Sequence, residues 1–203
     1  MADCLTIPVR YPDGSRYKVR EMLATMDAQF PDGVPKGTVV RFAEDPVWSL
    51  NTVLFLTKLC AREIIVKPEI STTLPNEADV PGYLNSLVNL MNTGYKNRIT
   101  LTLMLGSTSE RSRSKLYGHP FGLASLVKLF EHLPELQDEQ QIALAFDPFC
   151  PLDAAKLHRQ FSPDRFTILL HPTDTVNAEM PLFDNLDLKE KLRALGYTVA
   201  VCA

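Results

Sequence analysis

The chain has 203 residues, of which 45% are hydrophobic and 22% are charged, and its formal net charge at pH 7 is -3. This composition excludes a disordered or fibrous protein. The negative net charge does not support nucleic acid as a partner, and only a local basic segment would attract one. The sequence shows no signal peptide, no apolar run of about 18 residues and no Cys-x-x-Cys spacing, so we expect a cytoplasmic protein that is not held in a membrane.

Strand-like and helix-like patterns alternate along the chain. Residues 5–10 are a candidate first strand, although Pro8 restricts them to a sheet edge or an irregular segment. Residues 17–30 carry apolar side chains at helical spacing. Residues 38–43 predict a strand, and residues 46–61 predict a largely apolar helix. The alternation continues with strands at 63–70, 98–105, 141–146, 166–170 and 197–201, and with helices at 79–92, 121–133, 152–161 and 187–195.

This βα rhythm is typical of a parallel sheet. A closed eight-stranded barrel usually has about 250 residues, which is more than this chain provides. We therefore predict a single α/β domain over residues 1–203, built as an open, partial βα barrel of about six mainly parallel strands with helices on the outside. A doubly wound flat sheet is the alternative.

Polar residues follow several predicted strands at their carboxyl ends, where parallel α/β sheets bind ligands. Because these ends converge on one rim, we expect the residues there to form a ligand-binding site, although they identify no catalytic residue. The candidate ligand-binding residues are Glu44, Asp45, Glu69, Ser107, Arg111, Arg113, Asp147 and His171.

Several of these residues also have a purely structural interpretation. Asp45 stands before a proline and favours a helix cap, and Ser107 and Ser109 could cap the next helix in the same way. Glu69 can form a surface ion pair with Lys67 or Arg41. The structural role is the more frequent one for residues of these types in these positions.

One dense basic segment, residues 109–115, places Arg111, Arg113 and Lys115 among serines. Guanidinium groups beside hydroxyls bind phosphate or carboxylate oxygens, and the alternative is a solvent-exposed loop or helix face. His171 is the candidate acid, base or ligand near neutral pH. Carboxylates combined with this imidazole suit a divalent metal, but no local spacing supports such a site, so we predict none.

Three stretches carry a resemblance to a known family. Ala43-Glu44-Asp45-Pro46 stands before an apolar helix, residues 64–72 join a strand to a serine and threonine turn, and residues 102–116 join a strand to an arginine-containing helix. In this order they resemble the radical S-adenosylmethionine superfamily, most closely its RNA adenine methyltransferase branch. The resemblance implies a partial βα barrel and makes S-adenosylmethionine a candidate cofactor.

The chain lacks the cluster motif of that family, Cys-x-x-x-Cys-x-x-Cys, and only Cys4 stands where its third cysteine would be. We therefore expect a barrel without an iron–sulfur cluster of its own, which binds a small polar or anionic ligand or a protein partner at the rim. The alternatives are a subunit or fragment of an iron–sulfur enzyme, a cluster-free enzyme using His171 with Asp147 or Glu44 as acid and base, and a scaffold that exposes the helix at 47–60. Whether the chain is an enzyme stays open.

Overall fold

A computed structural model of the chain describes residues 3–95, 98–137, 140–147, 149–170 and 185–201. The strands are β1 (Cys4–Ile7), β2 (Thr38–Phe42), β3 (Val66–Thr72), β4 (Thr100–Gly106), β5 (Ile142–Phe146), β6 (Phe166–Leu170) and β7 (Val199–Val201). The α-helices are α1 (Val19–Gln29), α2 (Asn51–Ala61), α3 (Val80–Thr93), α4 (Glu110–Tyr117), α5 (Leu123–His132), α6 (Ala154–Gln160) and α7 (Asn185–Ala194).

The seven strands form one open parallel sheet in which they stand in sequence order, from β1 to β7. Parallel crossovers are nearly always right-handed, so an order that never reverses sends every crossover over the same face of the sheet. The predicted open α/β barrel is confirmed, with seven strands where about six were expected. The doubly wound alternative is wrong, because it requires a reversal of strand order.

The side chains of β1, β2 and β3 alternate between a buried face and an exposed face, as the two-residue period of a strand requires. Leu5, Ile7 and Val40 are fully buried and belong to the hydrophobic core. The opposite face of these three strands is called the open face below. It carries Thr6, Arg41, Lys67, Glu69 and Ser71.

Helix α2 is part of the core and is not a free interface. Its side chains Phe55, Leu56 and Leu59 are fully buried, whereas Leu50 and Leu54 on its outer side are 42% and 51% exposed. This corrects the hypothesis of a scaffold that presents the whole segment 47–60, because most of its apolar surface is already buried in the core, where α2 packs against helices α1 and α3. Among the described residues, no helix is long and apolar enough to cross a bilayer.

Two predicted boundaries differ from the structure for local backbone reasons. The predicted helix at 46–61 is a 3-10 turn, Pro46–Trp48, followed by α2, since Ser49 between them is extended with a φ of -147°. The predicted strand at 63–70 begins at Val66, because Glu63 has a left-handed φ of 57° that a strand does not accept. Strand β3 then continues to Thr72, so Glu69 lies in the middle of the strand and not at its carboxyl end.

Candidate functional site

Asp45 joins the carboxyl ends of β2 and β3. Its Oδ1 accepts a hydrogen bond from the Val47 backbone N at 3.1 Å, which confirms the predicted cap. Its Oδ2 accepts two more from Thr73, from the backbone N at 2.7 Å and from Oγ1 at 2.9 Å. The carboxylate therefore holds a turn and a neighbouring strand end together, and the second role was not predicted because Thr73 lies 28 residues away in sequence.

Glu44, the adjacent carboxylate, has a similar structural partner. Its Oε2 accepts a hydrogen bond from the Val9 backbone N at 2.7 Å, so it ties the chain leaving β1 to the end of β2. The side chain is half-buried. Of the two carboxylates that the sequence placed at this rim, neither is a free ligand.

The ends of β4 and β5 are joined by hydrogen bonds between their loops. Ser107 is fully buried, and its Oγ donates to the Pro151 carbonyl at 2.6 Å and accepts from the Ser109 backbone N at 3.1 Å. Asp147 is half-buried and accepts a hydrogen bond from the Phe149 backbone N at 2.8 Å within its own turn. The Ser107 hydroxyl is thus buried and already hydrogen-bonded within the protein. A ligand at this end of the rim would have to contact groups other than Ser107.

The basic segment forms helix α4, and its cations lie on different sides of that helix. Ser109 caps the helix by accepting from the Ser112 backbone N at 3.5 Å, as predicted. Arg111 and Lys115 are exposed, whereas Arg113 is completely buried. Burial lowers the pKa of Arg113, and the nearby Glu110 carboxylate opposes that shift. The alternative of a solvent-exposed loop or helix face therefore fails for Arg113.

Arg41 and Glu69 form an ion pair on the open face. Both Nε and Nη2 of Arg41 lie 2.7 Å from Oε2 of Glu69, and the two side chains are 58% and 41% exposed. The hydrogen bond to Glu69 is the main cause of the raised pKa of Arg41. This pairing was one of the two predicted for Glu69.

A cavity of about 130 Å³ opens beside this ion pair at the end of β2. It is lined by Arg41, Phe42, Pro46, Glu69 and Ser71. Here a cation, an anion and a hydroxyl meet around a space that no described side chain fills. Sequence reasoning missed the cavity, although the two-residue spacing of Glu69 and Ser71 already indicated a shared strand face.

His171 and Asp174 lie outside the described residues, so the pairing of His171 with Asp147 or Glu44 stays a prediction. In the part of the chain that the structure describes, no group of three or more His, Cys, Asp or Glu side chains could hold a metal ion. The cysteines described, Cys4, Cys60 and Cys150, carry free thiols.

The sequence was compared with known proteins. No model of a protein family matches the chain, and no curated protein matches it. The fold and the site define an α/β protein with an open parallel sheet and a small polar cavity at the strand ends. The resemblance to the radical S-adenosylmethionine superfamily remains a prediction from sequence pattern.

Proposed function

We propose that the chain binds a small ligand carrying an amino and a carboxylate group in the cavity beside Arg41 and Glu69. The observation that supports this proposal is the half-exposed ion pair that lines the cavity. A guanidinium group binds a carboxylate through two parallel N–H donors, and a carboxylate accepts from an ammonium group. One ligand with both charges would satisfy both side chains.

The hydrogen-bond capacity of the pair supports the same proposal. Arg41 directs Nε and Nη2 to a single oxygen of Glu69. Its Nη1 has no acceptor in the described part of the chain, and a guanidinium group can make further hydrogen bonds from there. The Ser71 hydroxyl adds a group that both donates and accepts.

The size of the cavity limits which part of a ligand it can hold. A volume of 130 Å³ corresponds to the space of about four water molecules in the liquid. That accommodates an amino-carboxylate head group, while a larger remainder would extend over the open face. S-Adenosylmethionine carries such a head group and is the candidate that the sequence resemblance suggests.

The iron–sulfur cluster of that family does not fit the described residues. Cys4 is exposed, and no described set of three His, Cys, Asp or Glu side chains could hold a metal. We therefore propose binding without any step that passes through a cluster. The free thiols are those expected in a reducing compartment, which supports a cytoplasmic location as part of the proposal.

Isothermal titration calorimetry with S-adenosylmethionine, methionine and a panel of small carboxylates tests the proposal. We expect at least one ligand with an amino-carboxylate group to bind. Arg41→Gln and Glu69→Gln should each weaken that binding about tenfold or more, the value of a lost charge-assisted hydrogen bond. Lys67→Gln is the matched control, because Lys67 is exposed on the same strand face but does not line the cavity.

Two results would count against the proposal. One is the absence of binding by every member of the panel. The other is binding that Lys67→Gln weakens as much as Arg41→Gln, because that would indicate general attraction between charges and not a site built around the ion pair.

A further inference from the structure

Arg113 is a buried cation whose hydrogen bonds are incomplete. Its side chain is 0% exposed, and Nη1 donates to Glu110 Oε2 at 2.9 Å. Its Nε and Nη2 are also buried and have no acceptor in the described part of the chain. Because an arginine stays protonated in proteins, these two nitrogens are buried charged donors with no partner among the residues that the structure describes. Folded proteins rarely leave such groups unpaired, so their state needs an explanation.

The two unpaired nitrogens lie on the same edge of the guanidinium group. The N–H of Nε and one N–H of Nη2 point in nearly the same direction, as a pair of parallel donors. This edge matches the spacing of two oxygens in a carboxylate or a phosphoryl group, which is why arginine binds such groups in a bidentate manner. The free edge of Arg113 is therefore the part of the side chain best suited to an anion.

Among the described residues, the carboxylate that contacts Arg113 does not supply that anion. Glu110 accepts from Arg113 through Oε2 and from the Leu123 backbone N through Oε1, so both of its oxygens are in use. In the described residues, the fold buries the guanidinium group and supplies an acceptor to only one of its three nitrogens.

The location of Arg113 favours a ligand over a structural partner. Helix α4 starts at the carboxyl end of β4, the side of a parallel sheet where ligands bind. It packs closely on that strand end, because a Cβ on Gly106 would lie 2.9 Å from Tyr117 Oη, and Gly106 has a left-handed φ of 68°. Arg111 and Lys115 are exposed on the same helix and would attract an anion toward it.

We propose that the Nε and Nη2 edge of Arg113 is a second binding site, which accepts one carboxylate or phosphoryl group of a small molecule at the β4 end of the rim. The site is distinct from the cavity beside Arg41 and does not depend on it. Because both nitrogens are buried, the anion reaches them only when part of α4 or a covering side chain moves. Binding then needs a minor conformation, which reduces the observed affinity by the fraction of molecules in that conformation.

The test uses inorganic phosphate and acetate as probes, each titrated at constant ionic strength against chloride. The Arg113 Nε–H resonance of ¹⁵N-labelled protein is followed by NMR, and Tm is followed by thermal denaturation. We expect at least one of the two anions to shift that resonance saturably and to raise Tm. A response to phosphate alone identifies a phosphoryl site, and a response to acetate alone identifies a carboxylate site.

Variants separate the effect of the two parallel donors of Arg113 from the effect of its charge. Arg113→Lys keeps the charge without the two parallel donors and should weaken binding about tenfold or more. Arg113→Met should abolish the rise in Tm, whereas Arg111→Met, on the exposed side of the same helix, should keep it. Arg41→Gln should also keep the rise in Tm. The experiment therefore distinguishes a failure of the proposed Arg41 site from a failure of the proposed Arg113 site.

Three results would overturn the proposal. The first is an Nε–H resonance that neither anion moves in the unmodified protein, a result that needs no variant to fold. The second is a rise in Tm that chloride reproduces at equal ionic strength. The third is a rise that survives in Arg113→Lys without loss of affinity.

Discussion

Asp45→Ala is expected to destabilise the protein by more than the loss of a helix cap. Asp45 accepts three hydrogen bonds, at 3.1, 2.7 and 2.9 Å. The cap to Val47 contributes about 1 kcal/mol. Each bond from Thr73 to the carboxylate contributes about 1.5 kcal/mol, the low end for a charged acceptor, because Thr73 is half-buried and water can replace part of the loss. The free energy of unfolding should therefore fall by about 3 to 4 kcal/mol, and Tm by roughly 10 °C.

Asp79→Ala is the matched control for this measurement. Asp79 caps helix α3 through one hydrogen bond from the Gly82 backbone N at 3.0 Å, so its removal should cost about 1 kcal/mol. Urea unfolding of both variants gives the two free energies with their m-values. A double-mutant cycle with Thr73→Val isolates the bond from the hydroxyl. If Asp45→Ala costs no more than Asp79→Ala, the link to Thr73 does not stabilise the sheet, and Asp45 becomes available as a ligand-binding residue.

Two further predictions concern Arg113 and the buried tyrosines. Arg113→Met removes two buried donors that have no acceptor among the described residues and that cost about 1 to 3 kcal/mol each, together with one hydrogen bond of similar size to the half-exposed Glu110. We therefore expect the ligand-free variant to be as stable in urea as the unmodified protein, or more stable by about 1 to 2 kcal/mol. A loss of stability beyond the error of the measurement would contradict this account of the site. Burial raises the pKa of Tyr197 to about 12 and also raises the pKa values of Tyr83 and Tyr95. The folded state therefore favours the neutral phenols over the phenolates. The contribution of these tyrosines to the free energy of unfolding is complete below a pH of about 10 and is lost as the pH rises toward 12, by up to about 1.4 kcal/mol per pH unit for each tyrosine. Tyr197→Phe should reduce that slope in unfolding measurements between pH 9 and pH of about 11, and an unchanged slope would show that Tyr197 does not contribute.

The order of strands and helices could be predicted from the sequence, because the signals are local. The strand at 166–170 and the helix at 79–92 follow from apolar periodicity over a few residues. The cap made by Asp45 follows from its position before Pro46, since capping involves groups within one turn. Strand β1 stands at the edge of the described sheet as predicted, but Pro8 lies just after it, so the edge position comes from the order of the strands and not from the proline.

The partners of the rim residues could not be predicted, because they depend on pairs that are distant in sequence. Glu44 contacts Val9 across 35 residues, and Ser107 contacts Pro151 across 44. Such pairs form only when the loops between parallel strands meet at one edge of the sheet. The cavity beside Arg41 and Glu69 has the same origin, since its walls come from two strands 28 residues apart.

The sequence by itself determined that residues 109–115 are basic and that they follow a strand. Only the tertiary structure decided that Arg111 faces solvent while Arg113, two positions later, is buried. The physical reason is the helical period, which places residues two apart on nearly opposite sides of a helix. Which side faces the sheet depends on how α4 packs against the end of β4. That packing leaves one edge of a buried guanidinium group without an acceptor among the described residues.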